Sequence, residues 1–293
     1  MKKFRGTGVA IVTPFKNDSS LDFAALGRVV NHVISGGVNY IVVMGTTGES
    51  VTLTKDEKKA IISYVVEVTD NRVPIVVGIG GNNTQDVINH IRHSNLKGVD
   101  GILSVAPYYN KPNQRGMLQH FKAIATISPV PIILYNVPGR TCSNISSDTC
   151  IELARICENI IAVKEASGDM AQIMRIIKGK PDNFEVISGD DMMTIPIIAS
   201  GGSGVISVLA NAFPAATSEL VSFSLKNNFR SAREIHLRYL EIIELLFIDG
   251  NPAGVKAMLN AMNLCQNNLR LPLVPVNRTI FTRIQKAIDE VTK

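Results

Sequence analysis

No stretch of this 293-residue chain reaches the roughly 18 uninterrupted apolar residues of a membrane span, because Gly, Asn, Lys or Pro breaks every hydrophobic run. A membrane role is therefore not expected. The opening MKKF carries the charge of an export signal, but the apolar stretch behind it, Val9 to Val12, stops at Thr13-Pro14. Export is not expected, and the protein is placed in the cytoplasm. Charge is also scarce, at 19% of residues against 45% apolar, too little for a disordered chain and enough apolar residues for one large domain or two small ones. The 30 basic and 25 acidic residues leave +5, but the basic ones cluster only in pairs such as Lys2-Lys3 and Lys58-Lys59. With no basic stripe interleaved with aromatics, nucleic acid is not an expected partner. The slight positive excess suits an anionic small substrate as well as an ordinary solvated surface. Cys142, Cys150, Cys157 and Cys265 make neither a C-x-x-C pair nor a zinc set and read as reduced thiols. His32, His90, His93, His120 and His236 all fall in helical stretches, so nothing converges on a divalent ion. Asp190-Asp191 alone is a weak magnesium signal, and neither metal nor cofactor is expected.

What the chain does contain is a repeated alternation. Eight runs rich in Val and Ile stand at 8–15, 40–45, 74–80, 101–107, 131–138, 160–167, 184–191 and 204–211, starting about 28 residues apart. Between them lie stretches of helical period, such as Ala24 to Ile34, Thr54 to Val68 and Thr84 to Leu96. Eight such units predict an α/β fold, a closed (β/α)8 TIM barrel. The rival open sheet announces a dinucleotide by G-x-G-x-x-G after its first strand. Here that strand ends in Thr-Pro, and Gly78-Ile79-Gly80-Gly81 lacks the spacing. Beyond about Ser218 only helical period remains, through Arg233 to Phe247, Pro252 to Cys265 and Asn277 to Val291. The reading is a barrel over 1–224 with a small C-terminal helical appendage over 225–293, broken near Asp249-Gly250 and Leu271-Pro272.

In such a barrel the C-terminal strand ends form the active-site mouth, and the unusual residues collect there. The second run ends in Gly45-Thr46-Thr47-Gly48-Glu49-Ser50, the fourth in Pro107-Tyr108-Tyr109-Asn110, and the seventh in Ser188-Gly189-Asp190-Asp191. In the sixth, period two puts Ile161 and Val163 on one face and Ile160, Ala162 and Lys164 on the other. If the branched pair faces the helices, Lys164 points into the barrel above small Ala162. Partial desolvation there favours the free amine that Schiff-base chemistry needs. The alternative is a structural lysine paired with a carboxylate. The same parity sends Ile133 and Tyr135 inward, where the phenol is either a proton shuttle or a core tyrosine with a satisfied hydroxyl. Thr46 and Thr47 either offer hydroxyls and N–H groups to a substrate carboxylate or make a turn. Glu49 and Ser50, near Thr54, Asp56 and Glu57, read as caps of the second helix.

GTTGES (45–50), PYYNKP (107–112), YNVPGRT (135–141), VKEASGD (163–169), SGDD (188–191) and GVISV (204–208) occur in the order and spacing of the dihydrodipicolinate synthase family of pyruvate Schiff-base lyases. The resemblance covers essentially the whole chain from Gly6. It implies a class I condensation in which pyruvate forms an imine on Lys164, tautomerises to an enamine and attacks aspartate 4-semialdehyde, in diaminopimelate and lysine biosynthesis. By motif position Tyr135 is the proton donor and acceptor, with Thr46 and Tyr109 completing its relay. Tyr109 reaches into a neighbouring subunit's site, so at least a dimer is implied, with a homotetramer as the usual assembly. Thr47 matches the position that takes the pyruvate carboxylate, Ile206 a backbone contact to pyruvate, Gly189 a residue near the imine, and Arg140 the guanidinium that grips the semialdehyde's carboxylate. The alternatives are N-acetylneuraminate lyase or a 2-keto-3-deoxy sugar-acid aldolase, which share the lysine and tyrosine but tend to lack the GRT ending. A non-catalytic keto-acid sensor is a third, and it would not need a proton relay.

The resemblance also implies an effector pocket at Ser50, Val51, Lys55, Lys58, Gly80, Asn82, Asp86 and Tyr108. Asn82 and Tyr108 suit an amino acid's carboxylate and Asp86 an ammonium. Lys58, however, stands where lysine-inhibited members typically place a histidine. Two like charges about 4 Å apart repel by about 4 kcal/mol at an effective dielectric of 20, and each 1.4 kcal/mol costs about tenfold in affinity. Lys55 adds to the positive field, and Asp86 is shorter than the usual glutamate. L-Lysine is expected to inhibit weakly or not at all.

Overall fold

Strand and helix alternate from the N-terminus because each apolar run is short and ends at Gly, Pro or a polar cluster that the following helix uses as its cap. The computed structural model describes residues 3–292. Its strands are β1 (Gly6–Ala10), β2 (Tyr40–Val43), β3 (Ile75–Gly78), β4 (Gly101–Val105), β5 (Ile132–Asn136), β6 (Ile160–Glu165), β7 (Glu185–Ser188) and β8 (Gly204–Ser207). All pair in parallel, each with its sequence neighbour, and β8 returns to β1 to close the barrel. The helices around it are α1 (Phe23–Ser35), α2 (Lys55–Thr69), α3 (Thr84–His93), α4 (Gln114–Ile127), the short α5 (Pro138–Thr141), α6 (Ser147–Ile156), α7 (Met170–Gly179), α8 (Thr194–Ala199) and α9 (Pro214–Leu225). Then come α10 (Phe229–Arg238), α11 (Leu240–Phe247), α12 (Ala253–Ala261) and α13 (Arg278–Thr292). The eight-stranded closed barrel is thus as expected. The stretch Arg233–Phe247 is not one helix, because the chain turns at Tyr239, which both closes α10 and opens α11.

Two apolar layers hold the barrel. Inside it, Phe4, Ala10, Tyr40, Val42, Val76, Leu103, Ile133, Tyr135, Ala162, Ile187 and Ile206 pack together, while the alternate residues meet the helices. Each branched side chain taken fully out of water contributes about 1.5–3 kcal/mol. Lys164 and Ala162 do share the inner face. The simple alternation fails lower down, where Ile160 joins the outer layer and Ile161 leans toward the inner one. The cause is a register shift between β5 and β6: Ile132 pairs with Ile160 but Ile133 with Ala162. The extra residue, a bulge, flips the faces below it and leaves those above in register.

Capping also departs from expectation. Thr54 accepts from the Glu57 N–H and the Glu57 carboxylate accepts from the Thr54 N–H, a reciprocal capping box that starts α2 without Glu49 or Ser50. Glu49 is instead buried in a left-handed conformation, ion-paired with Lys256 of α12, and both side chains are fully buried.

Candidate active site

Residues in or just after six strands, β2 and β4 to β8, and one C-terminal segment build the site. A cavity of about 630 Å³ opens at the C-terminal mouth, its lining including Thr46, Leu103, Val105, Tyr135, Val137, Arg140, Thr141 and Asn251. Lys164 and Tyr135 are opposed across β5 and β6. The Lys164 Nζ lies 4.3 Å from the centre of the Tyr135 ring. Both side chains are buried. Lys164 makes no ion pair among the described residues, so the reading of a carboxylate-paired structural lysine falls. Gly189 presses against this amine: a Cβ there would stand 2.9 Å from Lys164 Cε and 2.8 Å from Ala166 Cβ. Only glycine lets the β7 end approach so closely. Ile206 sits buried on the inner face of β8.

The Gly45–Gly48 loop is held from two sides. Thr13 Oγ1 donates to Gly48 O at 2.7 Å, and the Glu49 N–H donates back to Thr46 O at 3.1 Å. Thr47 Oγ1 accepts from Asn251 Nδ2 at 3.0 Å, which leaves the Thr47 O–H free to donate. Arg140, on α5, reaches the same segment, its Nη2 standing 3.5 Å from Asn251 O. Asn251 is buried, and its Oδ1 has no hydrogen-bond partner among the described residues, an unpaired acceptor in the cavity wall. Asn251 was not anticipated. Nothing in its local sequence marks it beyond the break at Asp249-Gly250, because its importance lies in contacts with residues 204 and 111 positions away.

The C-terminal segment also grips the loop from behind. Lys256 Nζ donates to Asn268 O at 2.8 Å and stands 4.2 Å over the Phe15 ring, with the Arg270 guanidinium 4.4 Å over the same ring. Burial pulls the Lys256 ammonium down and the Glu49 carboxylate pulls it back up. Arg270 donates from both Nη atoms to Glu57, at 2.8 and 2.5 Å, and its backbone N–H donates to Glu49. This guanidinium holds the Glu57 carboxyl down at about 2.

The remaining sequence candidates divide. Tyr109 does not line the cavity: it is 88% exposed, in a left-handed conformation with φ 72°. Ser50, Val51, Lys58, Gly80 and Tyr108 also line the cavity, with His90. Lys55, Asn82 and Asp86 do not line it, although Asn82 Nδ2 donates to Tyr108 O at 3.1 Å. Burial pulls the Lys58 ammonium down, and burial together with Lys58 and Lys55 pulls His90 down as well. Lys58 and Lys55 thus both act on the His90 imidazole that lines the cavity. Asp191, the weak magnesium candidate, is occupied structurally: it accepts from Ser207 Oγ and from the Val208 and Leu209 N–H groups at 2.5, 2.9 and 3.0 Å.

Comparison with known proteins agrees with this geometry. The sequence profile of the Dihydrodipicolinate synthetase family matches residues 3–291. The 4-hydroxy-tetrahydrodipicolinate synthase of Parabacteroides distasonis is 50% identical over 288 residues, covering 98% of this chain and 97% of the relative. The crystal structure of dihydrodipicolinate synthase from Thermotoga maritima superposes with a TM-score of 0.97 at 38% identity, covering 99% of each chain. A monomeric dihydrodipicolinate synthase variant gives the same TM-score and identity over 99% of this chain and 97% of its own. The chain belongs to the dihydrodipicolinate synthetase family.

Proposed function

We propose that Lys164 is the nucleophile through which this chain carries out its family's reaction. The protein is a class I, Schiff-base-forming lyase that condenses pyruvate with L-aspartate 4-semialdehyde to 4-hydroxy-tetrahydrodipicolinate, in diaminopimelate and lysine biosynthesis. The observation that carries the assignment of Lys164 is a buried, inward amine with no carboxylate partner among the described residues, set against a tyrosine ring. The amine attacks the keto carbon of pyruvate and water leaves, forming the imine. Loss of a methyl proton gives the enamine, whose carbon attacks the aldehyde. The semialdehyde's own amine then attacks the imine carbon and expels Lys164, closing the ring.

The other roles follow from position. Tyr135, buried beside the amine, moves the protons, and Thr46 and Tyr109 complete its relay. The O–H of Thr47, freed by Asn251, binds the pyruvate carboxylate, with Ile206 and Gly189 shaping the floor. Arg140 takes the carboxylate of the semialdehyde. Tyr109, exposed and not lining its own cavity, serves the site of a second copy, so the working unit is at least a dimer within a homotetramer. Residues 225–293 form a helical appendage to the barrel of 1–224, and its Asn251 and Lys256 brace the site. The protein works in the cytoplasm. No helix among the described residues is long and apolar enough to cross a membrane.

Borohydride reduction in the presence of pyruvate is expected to add a reduced pyruvyl group to Lys164, detectable by intact-protein mass spectrometry. An adduct that survives Lys164→Ala would defeat the assignment. Lys58 in the cavity lining, with Lys55 close enough to act on His90, leads us to read L-lysine as a weak effector or none. Half-inhibition below about 0.1 mM, roughly 5.5 kcal/mol of binding, would contradict that.

A further inference from the structure

The two residues that follow Tyr135 and Lys164 along their strands point the other way, into the layer between barrel and helices, and they are bonded to each other. Asn136 and Glu165 are opposed in the β5–β6 register, one step above the Tyr135–Lys164 pair. Both are buried, at 0% and 1% exposure. Asn136 Nδ2 donates to Glu165 Oε1 at 2.6 Å. The same oxygen accepts from Gln172 Nε2 at 3.1 Å, while Oε2 accepts from the Ser167 N–H at 3.2 Å and from Ser167 Oγ at 2.5 Å. All four donors are neutral.

We propose that Glu165 is a positioning residue for the reaction: with Asn136 it locks the register that sets the Lys164 amine against Tyr135. The composition of the network argues for this role. Four donors converge on one side chain, and only a carboxylate accepts on both of its oxygens while donating on neither. Burial pushes the Glu165 carboxyl up, and the hydrogen bonds, those of Ser167 and Asn136 foremost, offset only part of that push. Burying this side chain therefore carries a desolvation penalty that an apolar residue would not.

The reach of the network matters as much as its centre. Asn136 Nδ2 also donates to Asn144 Oδ1 at 2.8 Å, and Asn136 Oδ1 accepts from the Ile145 N–H at 2.9 Å. These bonds close the loop 137–145 that carries Arg140. Gln172, in the first turn of α7, exchanges bonds with Asn144 at 2.8 and 3.2 Å. The Gly189 N–H donates to Glu165 O at 2.7 Å, which fixes the glycine packed on Lys164. Glu165 is thus the hub on which β5, β6, β7, the Arg140 loop and α7 converge. It does not line the cavity.

The inference rests on the reading of Lys164 as the imine-forming residue, so wild-type protein is tested first. Borohydride trapping that fails to label Lys164 there removes that reading and leaves the role of Glu165 without an object. With wild-type labelling established, Glu165→Gln keeps the side-chain shape but turns one acceptor into a donor facing another donor. A misplacement of about 1 Å in a reacting pair costs on the order of 100-fold. The expected result is a kcat lowered about 100-fold, a KM for pyruvate within about twofold of wild type, and a parallel fall in the rate of trapping at Lys164. Asn136→Asp combined with Glu165→Gln reverses donor and acceptor across the same bond and should recover about tenfold of the lost rate. If Glu165→Gln does not fold, Glu165→Asp replaces it. One methylene shorter, Asp cannot serve Ser167 and Asn136 together, and the same split between kcat and KM is expected. Wild-type turnover and trapping in either single variant, or a loss that the reversed pair does not recover, overturns the proposal.

Discussion

Arg140 carries its guanidinium on a four-residue helix that opens at Pro138 and lines the cavity. The proposed assignment of Arg140 to the second substrate can be tested at the level of this single residue. A charge-assisted hydrogen bond to a carboxylate contributes about 1.5–3 kcal/mol, so Arg140→Ala should raise the KM for the semialdehyde about ten- to a hundred-fold and leave that for pyruvate nearly unchanged. Steady-state kinetics with each substrate varied in turn checks this. An equal loss for both would return Arg140 to a structural role, holding Asn251 through its carbonyl. Lys164 was legible at this scale because one inward lysine at a strand end breaks an otherwise apolar alternation. Asn251 was not, since an asparagine after a helix is an ordinary loop residue until its partners are known.

Among elements, the joint between the loop after β2 and α12 is made by a buried ion pair. Lys256 and Glu49 are both wholly buried, and their pair closes the back of the Thr46–Thr47 loop. Removing one partner of a buried pair leaves the other charge uncompensated, which costs about 3–5 kcal/mol. Lys256→Met should lower the unfolding free energy by about that amount in urea titrations followed by circular dichroism. Adding Glu49→Gln to it should recover part of the loss, because the stranded charge is gone. An unchanged midpoint in Lys256→Met would mean that Asn268 and Phe15 hold this joint without the ion pair. The period of α12 places an ordinary lysine there, and only the tertiary packing makes it a core residue.

At the scale of the whole molecule, Tyr109 stands 88% exposed in a left-handed conformation and does not line the cavity of its own chain. If it completes the relay of a second copy, two inactive variants should complement each other. Tyr109→Phe keeps its own Lys164, and Lys164→Ala keeps its own Tyr109, so mixed oligomers rebuild one intact site. Mixing the two after dissociation and reassociation should restore activity well above either alone, measured in a coupled assay with pyruvate and the semialdehyde. No recovery, with mixed oligomers confirmed by native mass spectrometry, would show that Tyr109 acts within its own chain or not at all.

The sequence by itself determined the barrel, its eight strands and the inward lysine, since these follow from short-range regularities: period two within a strand, helical period between strands, and Gly, Pro or polar residues at the ends. Tertiary structure decided what period alone could not. The bulge at Ile161 depends on how β6 registers against β5, so Ile160 and Ile161 changed faces although their own sequence gives no sign of it. Glu49 next to a helix start reads locally as a cap, but a lysine 207 positions later claims it. The bracing of Thr47 by Asn251 and of Glu49 by Arg270 spans 204 and 221 residues. Such long-range pairs are chosen only when the barrel closes, because before that every polar group on the C-terminal helices is an equally available partner.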